Sequence, residues 1–456
     1  MKLQDACDAV DAARRKHDVP GVNVAFYADG EIALTASGIA NVSTDVEMTT
    51  DTIAHVGSIT KLINATVVMQ LVDRGLISLE APVTRYLPEF RLENSDDASA
   101  ITIEMLLNHT SGLGANLLPD MGHDLETLER TFGRMVMEPQ LHAPGAARSY
   151  CNAGTVIAGY LCQRLTKSSW YDLVKRNVFE ALDLKHAAVL PEDAILHRAS
   201  VGHFLDPAEG KLTRTSRAFL PLGFAPAGST NMMSAGDLMT FVRAHMSGGV
   251  GSNGVRILSE ESAERMRRQS ANPGPSAFDS GIGWRRFRSL VGHGGGGPGI
   301  VSYVSAHVES QSAVVVLTNA EHGLGVLQDV ISPFMKAHAG VDPLPALPAP
   351  KPDLPVKADR YVGTYENNTV LHEVSARNGE LYWTATAKHE YYDSTKTEKP
   401  AAVRLIPAAP DWFLADASAS ALTHSPTALV GFLDPDTDGR ARFLVEQLWL
   451  YRRISA

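Results

Sequence analysis

The chain has 456 residues, 44% of them hydrophobic and 20% charged, which suits a globular enzyme with two or three domains rather than a disordered or fibrous protein. A formal charge of −10 and a pI near 5.9 argue against nucleic acid or an anionic membrane as a partner. Cys7, Cys151 and Cys162 are too few for a disulfide framework and form no metal-like Cys-x-x-Cys pair; no metal and no cofactor is expected.

The opening MKLQDACDAVDAARRKHDVPG mixes charge with small apolar residues and holds no apolar stretch of secretory length. No signal peptide is visible, and the cytoplasm is the expected location, although a chain trimmed of its leader would read the same. No segment approaches the roughly 18 unbroken apolar residues of a membrane span.

In chain order, an amphipathic helix over Leu3 to Lys16 leads into an apolar strand, Gly21 to Tyr27. Ala28-Asp-Gly30 turns it into a second strand, Glu31 to Ala36, giving a β-hairpin. Helical periodicity runs from Lys61 to Arg74, stopped by Gly75, and again from Asn152 to Leu165, with a loop-rich region between. Gly281 to Phe287, Ile300 to Val308 and Ser312 to Leu317 read as strands, and His322 to Ala339 as a closing helix. Strands at both ends with helices between predict one sheet built from both ends and a helical insertion.

Asp342 to Pro355 then carries six prolines, the composition of an extended linker. Beyond it Tyr361 to Tyr365, Leu381 to Thr384, Val403 to Ile406 and Phe443 to Tyr451 are short β-type runs, expected to form a small antiparallel sheet or barrel. The expected division is residues 1–341, a linker at 342–357, and a C-terminal domain at 358–456.

Three local patterns carry chemistry. In Gly57-Ser-Ile-Thr-Lys61, Ser58 and Lys61 lie three apart on one helical face. A serine at a helix start has backbone N–H groups nearby that suit an oxyanion, and a lysine of lowered pKa can take up or relay its proton. On its own the pair usually means a helix cap and a solvated lysine. In Ser149-Tyr-Cys-Asn152, Tyr150 becomes a usable base only if adjacent cations hold it partly as phenolate, while the Asn152 amide can orient the lysine or bind a substrate carbonyl. Gly292-His-Gly-Gly-Gly-Gly-Pro-Gly299, just ahead of a strand, lets a ligand backbone approach closely. A phosphate loop is the rival, but Gly-Lys-Ser/Thr leading into a helix is absent.

In this order and spacing the motifs resemble the serine β-lactamase and penicillin-binding-protein superfamily, and more closely its class C group, which includes D-aminopeptidases and class VIII esterases. Leu106-Leu-Asn-His-Thr-Ser-Gly-Leu113, Pro144-Gly145, Pro226-Ala-Gly-Ser229 and Ser234-Ala-Gly-Asp-Leu238 support it, and the likeness spans roughly residues 5 to 340. The resemblance implies an α/β fold, with a β-lactamase-like antiparallel sheet flanked by helices, a helical subdomain and, more weakly, a lipocalin-like C-terminal antiparallel β domain. It implies catalytic Ser58, Lys61, Tyr150 and His293, with Asn152, Gly295 and Gly296 binding substrate, and an oxyanion held between the N–H groups of Ser58 and Gly296. Cys151 is expected to be packing.

His293 stands where β-lactamases carry lysine, and it is expected to titrate near neutrality. True β-lactamase activity is therefore disfavoured. The expected activity is that of a serine hydrolase acting through an acyl-enzyme on a small-molecule or peptide-like ester or amide. The alternative is an acyltransferase or peptide-cyclising thioesterase using an amine acceptor, and a non-catalytic binding protein is the rival of another class. If the C-terminal domain shapes the cleft, Trp383, Trp412, Trp449, Arg452 and Arg453 are its candidates.

Overall fold

The computed structural model describes residues 1–92, 96–114, 119–135, 140–206, 209–271, 279–343, 347–388, 399–416 and 427–455. Among them, eight antiparallel strands form one sheet. Its order is Val46–Glu47, Glu31–Asn41, Gly21–Ala28, Ser312–Thr318, Ile300–His307, Leu290–Gly297, Arg285–Phe287 and Asp279–Ser280. The first hairpin thus pairs with the strand Ser312–Thr318, and both ends of the region build one sheet, as the element order predicts.

The central strands are buried on both faces because alternate side chains point to opposite sides. Val22, Val24 and Phe26, with Val314 and Val316, pack against the helices Leu3–Lys16 and Leu324–Ala339. Ala25 and Tyr27, with Val315 and Leu317, face a larger core under the helix Thr60–Asp73. That helix is buried at every position from Thr60 to Leu71. A helix apolar on all sides belongs in an interior. Lys61 is carried inward with it.

The second sheet draws its own core from Tyr361 to Tyr451, with Trp383, Phe413, Phe432 and Tyr451 among the buried rings. Among the described residues it has nine antiparallel strands, from Val403–Arg404 at one edge to Ile406–Ala409 at the other. These edge strands are consecutive in the chain, so the sheet curls into a nearly closed barrel.

Three expectations need correction. Of Gly281 to Phe287 only Arg285–Phe287 is a strand; Gly283 has φ +76° and passes so near the buried helix that a Cβ would lie 2.8 Å from that of Ala65. The glycine run is not a loop ahead of a strand but a strand itself, Leu290–Gly297, paired throughout with Ile300–His307. Glycine has little intrinsic preference for strands, so pairing overrides propensity here. Phe443 to Tyr451 is two strands, Ala441–Glu446 and Trp449–Ser455, joined by a tight turn at Gln447, whose φ is +54°.

Candidate active site

The site begins where the chain bends into its buried helix. Gly57 opens a 3-10 turn, Gly57–Ile59, with φ +53°, and a Cβ there would lie 2.7 Å from both the N and the O of Gly296. Only glycine meets both the left-handed backbone and the close approach. Ser58 follows, half-buried between buried neighbours. One turn on, the Lys61 ammonium donates to Ser58 Oγ at 3.1 Å and to the Ala227 carbonyl at 2.6 Å. Burial pushes the Lys61 pKa down, against the opposing pull of Tyr150. Ala227 and Gly228 belong to Pro226-Ala-Gly-Ser229, and Gly228, at φ +114°, backs directly onto the Gly57 carbonyl.

Tyr150 stands across from this pair, buried, with the Lys61 Nζ 4.8 Å from its ring centre. Burial alone would raise the phenol's pKa. The charges of Lys61 and Arg285, with hydrogen bonding from Lys61 and Ser58, outweigh it and hold the phenol below its ordinary value. Asn152 opens the helix Asn152–Thr166, which is tied to the Ser58 helix by Asn64 Nδ2 donating to the Thr155 carbonyl at 3.2 Å. Cys151 is buried and caps that helix, its Sγ accepting from the Gly154 N–H at 3.4 Å. Its role is therefore local.

His293 sits in the glycine strand, fully buried, its ring centre 6.3 Å from that of Tyr150. Its Nδ1 lies 2.6 Å from the Gly294 carbonyl. A carbonyl can only accept, so Nδ1 carries the proton and Nε2 is left as an acceptor. Burial, then the charges of Arg285 and Lys61, push its pKa well below the ordinary imidazole value. The expectation that His293 titrates near neutrality is thus corrected: it is a neutral acceptor there. Gly295 lets the strand touch the turn that carries Ser58, since a Cβ would fall 2.1 Å from the Val56 carbonyl oxygen. A Cβ on Gly296 would meet open space. Ser58, Lys61, Tyr150, His293 and Gly296 therefore converge.

Several contacts were not legible in the motifs. The His109 ring lies 4.5 Å from that of Tyr150, and its Nδ1 accepts from the Cys151 N–H at 3.3 Å. This gives the Leu106 to Leu113 segment a purpose: it forms the floor under the tyrosine. Arg285, from the strand Arg285–Phe287, places its guanidinium 5.2 Å from the Tyr150 ring centre.

The C-terminal sheet also reaches the site. The Tyr150 N–H donates to the Leu448 carbonyl at 2.9 Å, and the Leu450 N–H to Ser149 Oγ at 3.1 Å. Between them Trp449 meets the Tyr150 ring edge-on, with centres 6.0 Å apart. Of the five candidates named for that domain, only Trp449 touches the site. Trp383 is buried in the barrel, donating to His372 Nδ1 at 3.0 Å, and Trp412 lies over Gly431. Arg452 and Arg453, with Arg148 and Leu450, line a cleft of about 1740 Å³ that none of Ser58, Lys61, Tyr150 and His293 lines. Among the described residues no group of three or more His, Cys, Asp or Glu could hold a metal, and no helix is long and apolar enough to cross a membrane.

Known proteins are similar to this chain in sequence and fold. The beta-lactamase family model matches residues 7–330. Penicillin-binding protein 4 of Amycolatopsis lactamdurans is 31% identical over 364 residues, 78% of this chain and 95% of that protein. Esterase EstB of Burkholderia gladioli is 32% identical over 310 residues, 61% of this chain and 76% of its own length. The crystal structure of SurE superposes with a TM-score of 0.80 at 23% identity and covers 99% of both chains, so the likeness in fold extends through the second sheet. A match over most of the chain, joined to this arrangement of serine, lysine, tyrosine and histidine, makes the chain a member of the beta-lactamase family of hydrolases.

Proposed function

We propose that this chain is a serine hydrolase that forms an acyl-enzyme on Ser58 and cleaves an ester or a peptide-like amide. The observation that carries the reading is the Lys61 ammonium, 3.1 Å from Ser58 Oγ and 4.8 Å from the centre of the Tyr150 ring. A nucleophile, a buried cation and a phenol of lowered pKa then share one proton path.

In this mechanism Ser58 Oγ attacks the substrate carbonyl carbon and its proton passes to the Tyr150 phenolate, which Lys61 holds. The oxyanion rests between the N–H groups of Ser58 and Gly296, where the missing Cβ leaves room. Collapse breaks the bond to the alcohol or amine, which leaves with the proton from Tyr150. Water then gives its proton to the same phenolate and attacks the acyl carbon, and as the C–Oγ bond breaks Tyr150 returns that proton to Ser58 Oγ, which frees the acid and restores the phenolate. His293 Nε2, a buried acceptor, receives a hydrogen bond from a donor on the substrate.

The name of the relative EstB, an esterase, supports an ester substrate. The neutral His293, where β-lactamases place a charged lysine, supports esters and amides over β-lactams. The test is covalent labelling by a fluorophosphonate with mass spectrometry, followed by kcat/KM on p-nitrophenyl esters, D- and L-aminoacyl anilides and nitrocefin. The expected result is an adduct on the Ser58 peptide and faster turnover of an ester or anilide than of nitrocefin. Nitrocefin exceeding every other substrate would restore a β-lactamase.

A further inference from the structure

We propose that Arg285 is a positioning residue that supplies the second positive charge facing the Tyr150 ring, the charge that His293 does not carry. The inference rests on the reading of Tyr150 as the base. It starts from strand register. Arg285 lies opposite Gly292, the neighbour of His293, so the short strand at the sheet's edge brings a guanidinium to the same end of the cleft as the histidine. The guanidinium carbon lies 5.2 Å from the Tyr150 ring centre, and the Lys61 Nζ lies 4.8 Å from it. Arg285 is half-buried, makes no ion pair among the described residues, and its buried Nε finds no hydrogen-bond partner among them.

The titratable and charged groups facing Tyr150 can be taken element by element. Lys61 comes from the buried helix, Arg285 from the edge strand, His293 from the glycine strand and His109 from the turn beneath; the C-terminal hairpin adds only the uncharged Trp449. Burial keeps both histidines neutral, helped by the positive charges around them. Two cations remain. A phenol enclosed without charge would resist ionising, and one lysine must also serve the Ser58 hydroxyl. Arginine suits the other place because its charge persists at any pH the enzyme meets.

The experiment compares wild type, Arg285→Gln, Arg285→Lys and Tyr150→Phe on p-nitrophenyl acetate, which carries no charge for an arginine to bind. It reads kcat/KM against pH and the near-ultraviolet phenolate signal, taken as the difference from Tyr150→Phe. In Arg285→Gln the rising limb and the phenolate titration should both move up by about one pH unit, and turnover below the limb should fall about tenfold. Arg285→Lys should keep both near their wild-type positions and serves as the control for folding. An unmoved titration in Arg285→Gln overturns the proposal. So does a rise in KM confined to carboxylate-bearing substrates with an unmoved profile, which would make Arg285 a substrate anchor. Full activity in Tyr150→Phe would instead sink the parent reading, while the phenolate titration would still report whether Arg285 acts on Tyr150.

Discussion

The backbone N–H of Tyr150, in the loop ahead of the helix Asn152–Thr166, is held by the carbonyl of Leu448 at 2.9 Å, in the turn of the second sheet's last hairpin. Trp449, beside it, meets the Tyr150 ring edge-on. Such ring pairs contribute about 0.5–1.5 kcal/mol, equivalent to up to about a tenfold change in rate. Trp449→Ala should therefore lower kcat/KM by up to about tenfold, and, because Trp449 also packs against the Tyr361 to Tyr451 core, it should lower the melting temperature as well. Differential scanning calorimetry beside steady-state kinetics checks both. Unchanged kinetics would show that the contact has no bearing on the site.

Ser58→Ala should abolish turnover with the fold intact, because the neighbouring Cys151 thiol is buried as a helix cap and cannot take its place. Circular dichroism and mass spectrometry of labelled protein test this together. An adduct on any other peptide contradicts the assignment.

Tyr150→Phe should cost at least about a hundredfold in kcat, in line with general-base contributions. Lys61→Ala should cost about as much, and the double variant little more, since the two act as one unit. Losses that add in the double variant would mean separate roles.

The pH profile follows from the directions of the shifts. A phenolate acceptor requires Tyr150 deprotonated, so activity rises with pH through a folded pKa lying below the ordinary phenol value. The cation that holds it must stay protonated, so activity falls again as Lys61 loses its proton, below the ordinary lysine value. The two groups interact, so both limbs of the bell belong to the pair. His293, held well below the ordinary imidazole range, contributes no limb near neutrality. His293→Gln should lower kcat and leave both limbs in place; a limb that vanishes with the histidine would reverse this conclusion.

Gly57→Ala forces a left-handed φ of +53° on a residue with a Cβ, and that Cβ would lie 2.7 Å from the Gly296 N. The oxyanion pocket should open, costing about a hundredfold or more in kcat with a smaller effect on KM. A KM effect alone would place the oxyanion elsewhere.

Local chemistry made the proposed nucleophile legible. Ser58 and Lys61 share a helical face because of their spacing, and the helix Leu3–Lys16 is where its periodicity puts it. The same spacing could not show that the Lys61 helix is buried all round, which is what lowers the lysine's pKa. The strand holding His293 was hidden by its glycines, whose weak propensity is overridden by pairing with Ile300–His307. The hairpin at Gln447-Leu448 lacks the Asn-Gly or Asp-Gly signal of a tight turn, so two strands read as one run. Arg285, His109 and Leu448 reach Tyr150 only through tertiary contacts, which no local pattern encodes.

The Ser149–Leu450 contact joins residues 301 positions apart. During synthesis the N-terminal region leaves the ribosome and folds first. Ser58, Lys61 and Tyr150 are then present while the strand that steadies the tyrosine is still unmade. The base gains its backbone partner only when the second sheet closes, so a nascent chain carries the full set of reactive groups in an unfinished arrangement. On the proposed mechanism, the tyrosine is held in its finished place only after the barrel has formed.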